Sequence, residues 1–259
     1  MIETSFWNRL PWPIIGLAPM DGVTDAVFRE MTARHGGPDI SFTEFVSVER
    51  ILSGYDPELA ELRYTDFERP VIAQVFGTHP EAFYRIAQVL CELGFDGIDI
   101  NMGCPSKTVA RAGAGAGLIR TPDLAREILR RTRQGVMAWA SGQKIEQAGL
   151  PASVLEDIRR ANSLRSGSPV EGNAEAPRKA IPVSVKTRLG YGCVVIDEWI
   201  PALLSETPAA ITLHGRTLAQ NYRGEADWDA IARAAELVRG TGTLILGNGD
   251  IRSAASAVR

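Results

Sequence analysis

The chain has 259 residues, 45% hydrophobic and 23% charged, the composition of an ordinary soluble globular protein that can bury a large core as one α/β domain or two small ones. A formal charge of −3 argues mildly against a nucleic-acid partner, and no apolar run approaches the ~18 residues of a membrane-spanning helix. The N-terminus Met-Ile-Glu-Thr-Ser-Phe-Trp lacks the basic start of a signal peptide, and Cys91, Cys104 and Cys193 are too widely spaced for a disulfide framework or a zinc site, which fits a reducing cytoplasm.

Short apolar runs alternate with amphipathic stretches. Strands are predicted over residues 14–20, 40–46, 71–77, 97–103, 183–189, 210–216 and 243–249. Most are continuous apolar runs, as expected when helices cover a parallel sheet. Thr24 can cap a helix over 26–34 that Gly36-Gly37 stops. Pro80 opens the next helix and Gly94 ends it. Thr121-Pro122-Asp123 starts a third, with Arg130, Arg131 and Arg133 expected at its C-terminal end, where the helix dipole favours cations. From Gly135 to Ala180 the connection is unusually long. Residues 151–164 can form an extra helix there, and 166–180, rich in Gly, Ser, Pro and charge, reads as mobile. This insertion is either a decorated surface loop or a partner-binding element. A last helix over 228–239 follows Asp227, a plausible cap.

Strand–helix alternation leaves two architectures, the (β/α)8 barrel and the doubly wound open sheet. Polar or special residues stand at the C-terminal side of most strands: Met20-Asp21, Gln74, Asn101 and Cys104, Lys186 and Arg188, His214 and Arg216, Asn248 and Asp250. An open sheet concentrates its site at one switch point, whereas a barrel gathers residues from nearly every strand into one mouth. The spread favours a TIM-type barrel, one strand short of eight and therefore expected to be truncated after the seventh.

Asn101-Met102-Gly103-Cys104-Pro105-Ser106-Lys107 is the most telling stretch. Pro105 forces the chain out of the sheet, leaving a thiol at the mouth of a parallel strand. A lone cysteine there is as readily a small buried capping residue, but Asn101, Ser106 and Lys107 have no evident core role and tilt the reading toward a site. In Ala18-Pro19-Met20-Asp21-Gly22-Val23-Thr24-Asp25, Gly22 allows close backbone approach and Met20 could press a flat ring, while Asp21 and Asp25 could be simple caps. Gln74, an amide within an apolar run, needs a partner when buried and suits the edge of a heterocycle. Lys186 is a cation in a strand, explained either by an anionic or electron-rich ligand or by its amine reaching the barrel mouth. Of the three histidines, His214 alone is placed for function; His35 and His79 adjoin helix ends. Gly247-Asn248-Gly249-Asp250 makes a turn whose N–H groups could hold a phosphate. Residues 111–117 do not match a G-x-G-x-x-G phosphate loop and read as a flexible loop near the mouth.

Taken in order, these pieces, with Lys186-Thr187-Arg188-Leu189-Gly190, His214-Gly215-Arg216-Thr217 and Ala226-Asp227-Trp228, resemble the tRNA-dihydrouridine synthases, flavin-dependent (β/α)8 enzymes. The resemblance runs from residue 14 to 251. It implies Cys104 as general acid and Asn101 as the holder of the target uracil. It further implies FMN contacts from Pro19, Met20, Gln74, Lys186 and His214, with Asn248 and Gly249 near the phosphate, and Arg188 and Arg216 facing the RNA. Reduced flavin would deliver hydride to uracil C6, and a thiol of ordinary pKa, about 8.5, would protonate C5 from the opposite face. The uracil must leave its stack to be reached, and NADPH or NADH would reload the flavin. The implied protein is a cytoplasmic monomer without metal or membrane partner.

The resemblance implies an eighth strand and a helical tRNA-gripping domain, both expected to be absent from this chain, and the insertion at about 135–180 is not usual for the family. Two other readings stand beside the enzyme: an inactive fragment that at most binds RNA or a partner, and a flavin barrel acting on a free pyrimidine, as the dihydroorotate dehydrogenases do.

Overall fold

Each of the seven predicted strands forms, most of them trimmed at the ends: β1 Gly16–Leu17, β2 Ile40–Ser47, β3 Val71–Phe76, β4 Gly97–Met102, β5 Val183–Arg188, β6 Ala210–His214 and β7 Leu244–Asn248. The computed structural model describes residues 6–54, 59, 61–166 and 178–257. The strands follow chain order in the sheet, and β1–β2, β2–β3, β5–β6 and β6–β7 pair in parallel. Helices Ala26–His35, Pro80–Glu92, Pro122–Ala140, Ile196–Leu204 and Trp228–Val238 intervene. This is the TIM-type (β/α) barrel class, with seven strands among the described residues.

Packing divides the chain into two units, residues 1–99 with 130–183 and residues 100–129 with 184–259. In the first unit β3 is buried almost throughout, and Phe83, Ile86, Ala87 and Leu90 of the helix Pro80–Glu92 are fully buried. Pro80 sits at the first turn as expected, and Gly94 follows the helix at φ +73°. The cap of the helix Ala26–His35 is Asp25 and not Thr24: Asp25 Oδ1 accepts the Phe28 N–H at 2.8 Å. Thr24 instead closes the preceding turn, its Oγ1 accepting the Met20 N–H at 2.9 Å.

The third helix does not end near Gly135. It runs to Ala140, so Arg130, Arg131 and Arg133 lie in its body and not at its C-terminal end, and the irregular connection starts later than expected. Gly135 is what permits this: a Cβ there would lie 2.9 Å from Ala87 Cβ, so the bare backbone lets this helix approach the helix Pro80–Glu92. The extra helix forms over Ala152–Ser166 and is tied to the same neighbour by Asn162 Nδ2 donating to Glu92 O at 3.1 Å. Arg178 returns the chain to the unit, donating to Gln143 O at 2.7 Å with its guanidinium 4.7 Å above the Trp139 ring. Residues 167–177, within the stretch expected to be mobile, lie outside the described residues.

In the second unit, Val185, Ile211 and Leu213 of the strands, Trp199, Ile200 and Leu203 of the helix Ile196–Leu204 and Ala234 of the helix Trp228–Val238 are all buried. Asp227 caps that last helix as expected, accepting the Ala230 N–H at 2.8 Å. The segment 111–117, expected to be a flexible loop, is ordered: it leads into a 3-10 helix Gly115–Arg120 whose residues Gly115 to Ile119 are buried. No helix of the described residues is long and apolar enough to cross a membrane.

Candidate active site

The turn that follows β4 has its backbone pinned atom by atom. Asn101 Oδ1 accepts the N–H of Gly103 at 3.0 Å and of Cys104 at 2.8 Å, folding the chain back as Asn side chains do in tight turns. Thr187 Oγ1 donates to Met102 O at 3.1 Å, and Trp199 Nε1 donates to Thr187 Oγ1 at 3.0 Å. Arg188 Nε donates to Gly103 O at 2.7 Å, and the Ala116 N–H reaches Cys104 O at 3.4 Å. Gly115, at φ +56°, supplies the close approach: a Cβ there would lie 3.1 Å from Cys104 Cβ. The outcome is a thiol 8% exposed, on a turn with little freedom to move. By contrast Cys91 is buried in the helix Pro80–Glu92, where desolvation pushes its pKa up, and Cys193 is exposed.

Around the ends of β5, β6 and β7 the second unit gathers charge. The register sets Arg188 beside His214 and His214 beside Asn248. Lys186 Nζ lies 3.2 Å from Asn248 Oδ1. Burial, then the nearby cations Arg188, Lys186 and Arg216, push the His214 pKa down to about 3, so the ring is neutral. Arg216 Nη1 is 3.3 Å from His214 Nε2; a guanidinium only donates, so Nε2 accepts and Nδ1 carries the proton. Arg216 is itself fixed by Asp250, Nη2 to Oδ2 at 2.8 Å, and by Gly224 O at 2.6 Å. The Ala226 N–H at 2.7 Å, and then Arg216, hold the Asp250 carboxyl below its ordinary range. A Cβ at Gly249 would come within 3.0 Å of His214 Cδ2, so that position needs glycine.

The loop after β6 is held by the two buried arginines. Arg188 Nη1 donates to Thr217 O at 3.2 Å and Asn221 O at 3.0 Å, and Tyr222, 71% exposed, has its ring 5.8 Å from the Arg188 guanidinium carbon. Arg188 and Arg216, read from sequence as facing RNA, are thus 2% and 5% exposed and spend donors on backbone carbonyls.

The remaining candidates belong to the first unit. Pro19 is half-buried and Met20 exposed at the turn after β1, where Gly22 N donates to Glu44 Oε1 at 2.5 Å. Gln74 is fully buried in β3, and the partner its amide requires is Asp99: Nε2 donates to Asp99 Oδ2 at 2.7 Å. Within the second unit the fold brings together Asn101, Cys104 and Arg188, and separately Lys186 with Asn248 and His214 with Arg216 and Gly249.

Sequence reading passed over Asp99 and Tyr222, and it noted Asp250 and residues 111–117 without giving them their structural partners. Asp99 carried a usable signal, a carboxylate inside an apolar strand that must find a donor. Asp250 was marked by its place at a strand end, but its partner Arg216 is remote in sequence, as is Arg188 from Tyr222.

Such a site combines a fixed thiol able to give a proton with a neutral imidazole donor and three cations suited to an anionic or electron-rich ligand. The family model described as Dihydrouridine synthase (Dus) matches residues 16–139 and 171–259, leaving 140–170 between its two segments. The chain is 34% identical over 252 residues to the "Probable tRNA-dihydrouridine synthase 2" of Bacillus subtilis (strain 168), covering 95% of this chain and 64% of that protein. It is 33% identical to the "Probable tRNA-dihydrouridine synthase" of Staphylococcus aureus (strain COL), covering 96% of this chain and 64% of the relative. A Staphylococcus epidermidis protein of the same description is also 33% identical, with 96% and 65% covered. The chain thus spans somewhat under two thirds of the length of these curated relatives.

Proposed function

Because the chain belongs to the dihydrouridine synthase family, we propose that it reduces uridine to 5,6-dihydrouridine in tRNA, with FMN as cofactor and NADPH or NADH as reductant. The observation that carries this reading is the Cys104 turn, whose thiol is held at the end of β4 by bonds to the backbone on both sides of it. FMN, when bound, supplies the hydride for C6 of the uracil. Cys104 gives its Sγ proton to C5, where carbanion character develops, and a turn that cannot drift keeps that proton in reach.

The residues present fit the cofactor. Lys186, Arg188 and Arg216 stand near His214, with Asp250 the opposing carboxylate, which leaves a positive seat for a phosphate and an electron-rich ring. Within the second unit, Lys186 and His214 would hold the ring, and Asn248 and Gly249 the phosphate. Neutral His214 can donate from Nδ1 without placing another full charge beside three cations. Asn101 would orient the target uracil, with Arg216 lending positive potential on the RNA side. Tyr222 offers an exposed ring on which an unstacked base can rest.

The test is to load the purified chain with FMN, supply NADPH and unmodified tRNA transcript, and digest the product to nucleosides for mass spectrometry. Flavin absorbance on the protein and uridine heavier by two hydrogens are expected. A flavin-loaded chain that leaves tRNA unchanged overturns the substrate, and activity on free orotate would move the assignment to a dihydroorotate-type enzyme.

A further inference from the structure

Arg188 makes three bonds that join two separate loops. Nε donates to Gly103 O, at 2.7 Å, in the turn that carries Cys104. Nη1 donates to Thr217 O at 3.2 Å and to Asn221 O at 3.0 Å, in the loop that carries Tyr222. The residue is almost wholly buried, and all three acceptors are backbone carbonyls. Its planar fork places donors on separate nitrogens that reach both loops; the three N–H groups of an ammonium share one nitrogen and lack that span.

We propose that Arg188 is a positioning residue that locks the Cys104 turn to the Tyr222 loop, so that the proton donor and the substrate-facing loop keep a fixed spacing. The family resemblance implies that Arg188 faces the RNA. The geometry favours a different use, because the donors on Nε and Nη1 are spent inside the protein. Loss of the fork leaves three buried carbonyls to find new partners, and both loops shift to meet water or one another. A displacement of about 1 Å at the reacting group can cost roughly 100-fold in rate.

Arg188→Lys and Arg188→Gln, each compared with the wild-type chain, test this. In Arg188→Lys, amide hydrogen exchange is expected to rise at least tenfold both at Gly103–Cys104 and across residues 217–222, with the rest of the second unit unchanged. On the reading of Cys104 as the acid, kcat for dihydrouridine formation falls about 100-fold while KM for tRNA stays within threefold. Lysine restores the charge but not the bridge, so it does not rescue. Exchange that rises in one loop only, or in neither, overturns the proposal. So does an Arg188→Gln variant whose KM rises and whose salt dependence of tRNA binding loses about one counterion, the mark of a phosphate contact that Arg188→Lys would then preserve. A wild-type chain that makes no dihydrouridine refutes the proposed function, while the exchange measurement still decides the role of Arg188.

Discussion

Arg216 Nη1 stands 3.3 Å from His214 Nε2, and the contact is favourable only while the imidazole is uncharged on that nitrogen. Burial and three nearby cations hold the His214 pKa at about 3, far below the ordinary value of about 6.5. In the unfolded chain the ring takes up its proton near 6.5, whereas the folded chain does so only near 3. The stability His214 contributes is therefore present above about pH 6.5 and is lost progressively as the pH falls toward 3. The expected result is a His214 ring whose NMR resonances do not move between pH 8 and 5, and a His214→Gln variant with a weaker acid slope in its unfolding midpoint. A ring that titrates near 6.5 in the folded chain would contradict this.

Cys104→Ala is expected to keep flavin binding and to lose dihydrouridine formation by roughly 100-fold or more, the usual size of a general-acid contribution. Cys104→Ser, which retains a hydroxyl in the same place, should be equally poor, because an alcohol gives up its proton far less readily. Nucleoside mass spectrometry reads the product and absorbance reads the flavin. Unchanged product in Cys104→Ala would remove the thiol from the mechanism.

Arg29 and Glu68 form an ion pair at 2.6 Å with both side chains fully buried. Arg29 also donates to Thr24 O at 2.7 Å and Arg63 O at 2.6 Å, so the guanidinium cannot leave when its carboxylate is removed. Glu68→Ala strands a buried cation and should cost about 3–5 kcal/mol. The exposed pair Arg34–Glu30 has similar geometry, but water screens it, and Glu30→Ala should cost at most about 0.5 kcal/mol. Urea midpoints at constant m-value distinguish the two.

Gly135→Ala sets two effects against each other. Alanine favours the helix interior by about 1 kcal/mol over glycine. At this position, however, the new methyl would lie 2.9 Å from Ala87 Cβ and 3.0 Å from the carbonyl carbon of Tyr84, and backbone cannot rotate away. Forcing the helices apart typically costs about 1–3 kcal/mol, so the steric term should win and thermal unfolding should move down. A raised midpoint would show that the helices can separate cheaply.

Seven strands and the helices between them were legible because burial leaves a mark: apolar runs broken only by Gln74 in β3 and by Asp99 and Asn101 in β4, and Pro80 and Asp227 at helix starts. Thr24 and Asp25 are both competent caps, and composition does not choose between them; the chain path sends Thr24 back to Met20 and leaves Asp25 to Phe28. The long connection reads from Gly135 onward in sequence, yet the helix continues to Ala140, and the missing side chain at Gly135 serves packing.

By itself the sequence determined the strand–helix alternation, the placing of a thiol after β4, and the series of polar residues at strand ends, since these depend on local pattern along the chain. Only the tertiary structure decided that Arg188 bridges two loops, that Arg216 and Asp250 organise His214, and that Gln74 rests on Asp99. Hydrogen bonds and charge pairing act through space over a few ångströms, so the partners of a buried polar group are set by the folding of distant segments and leave no periodic trace in the residues themselves.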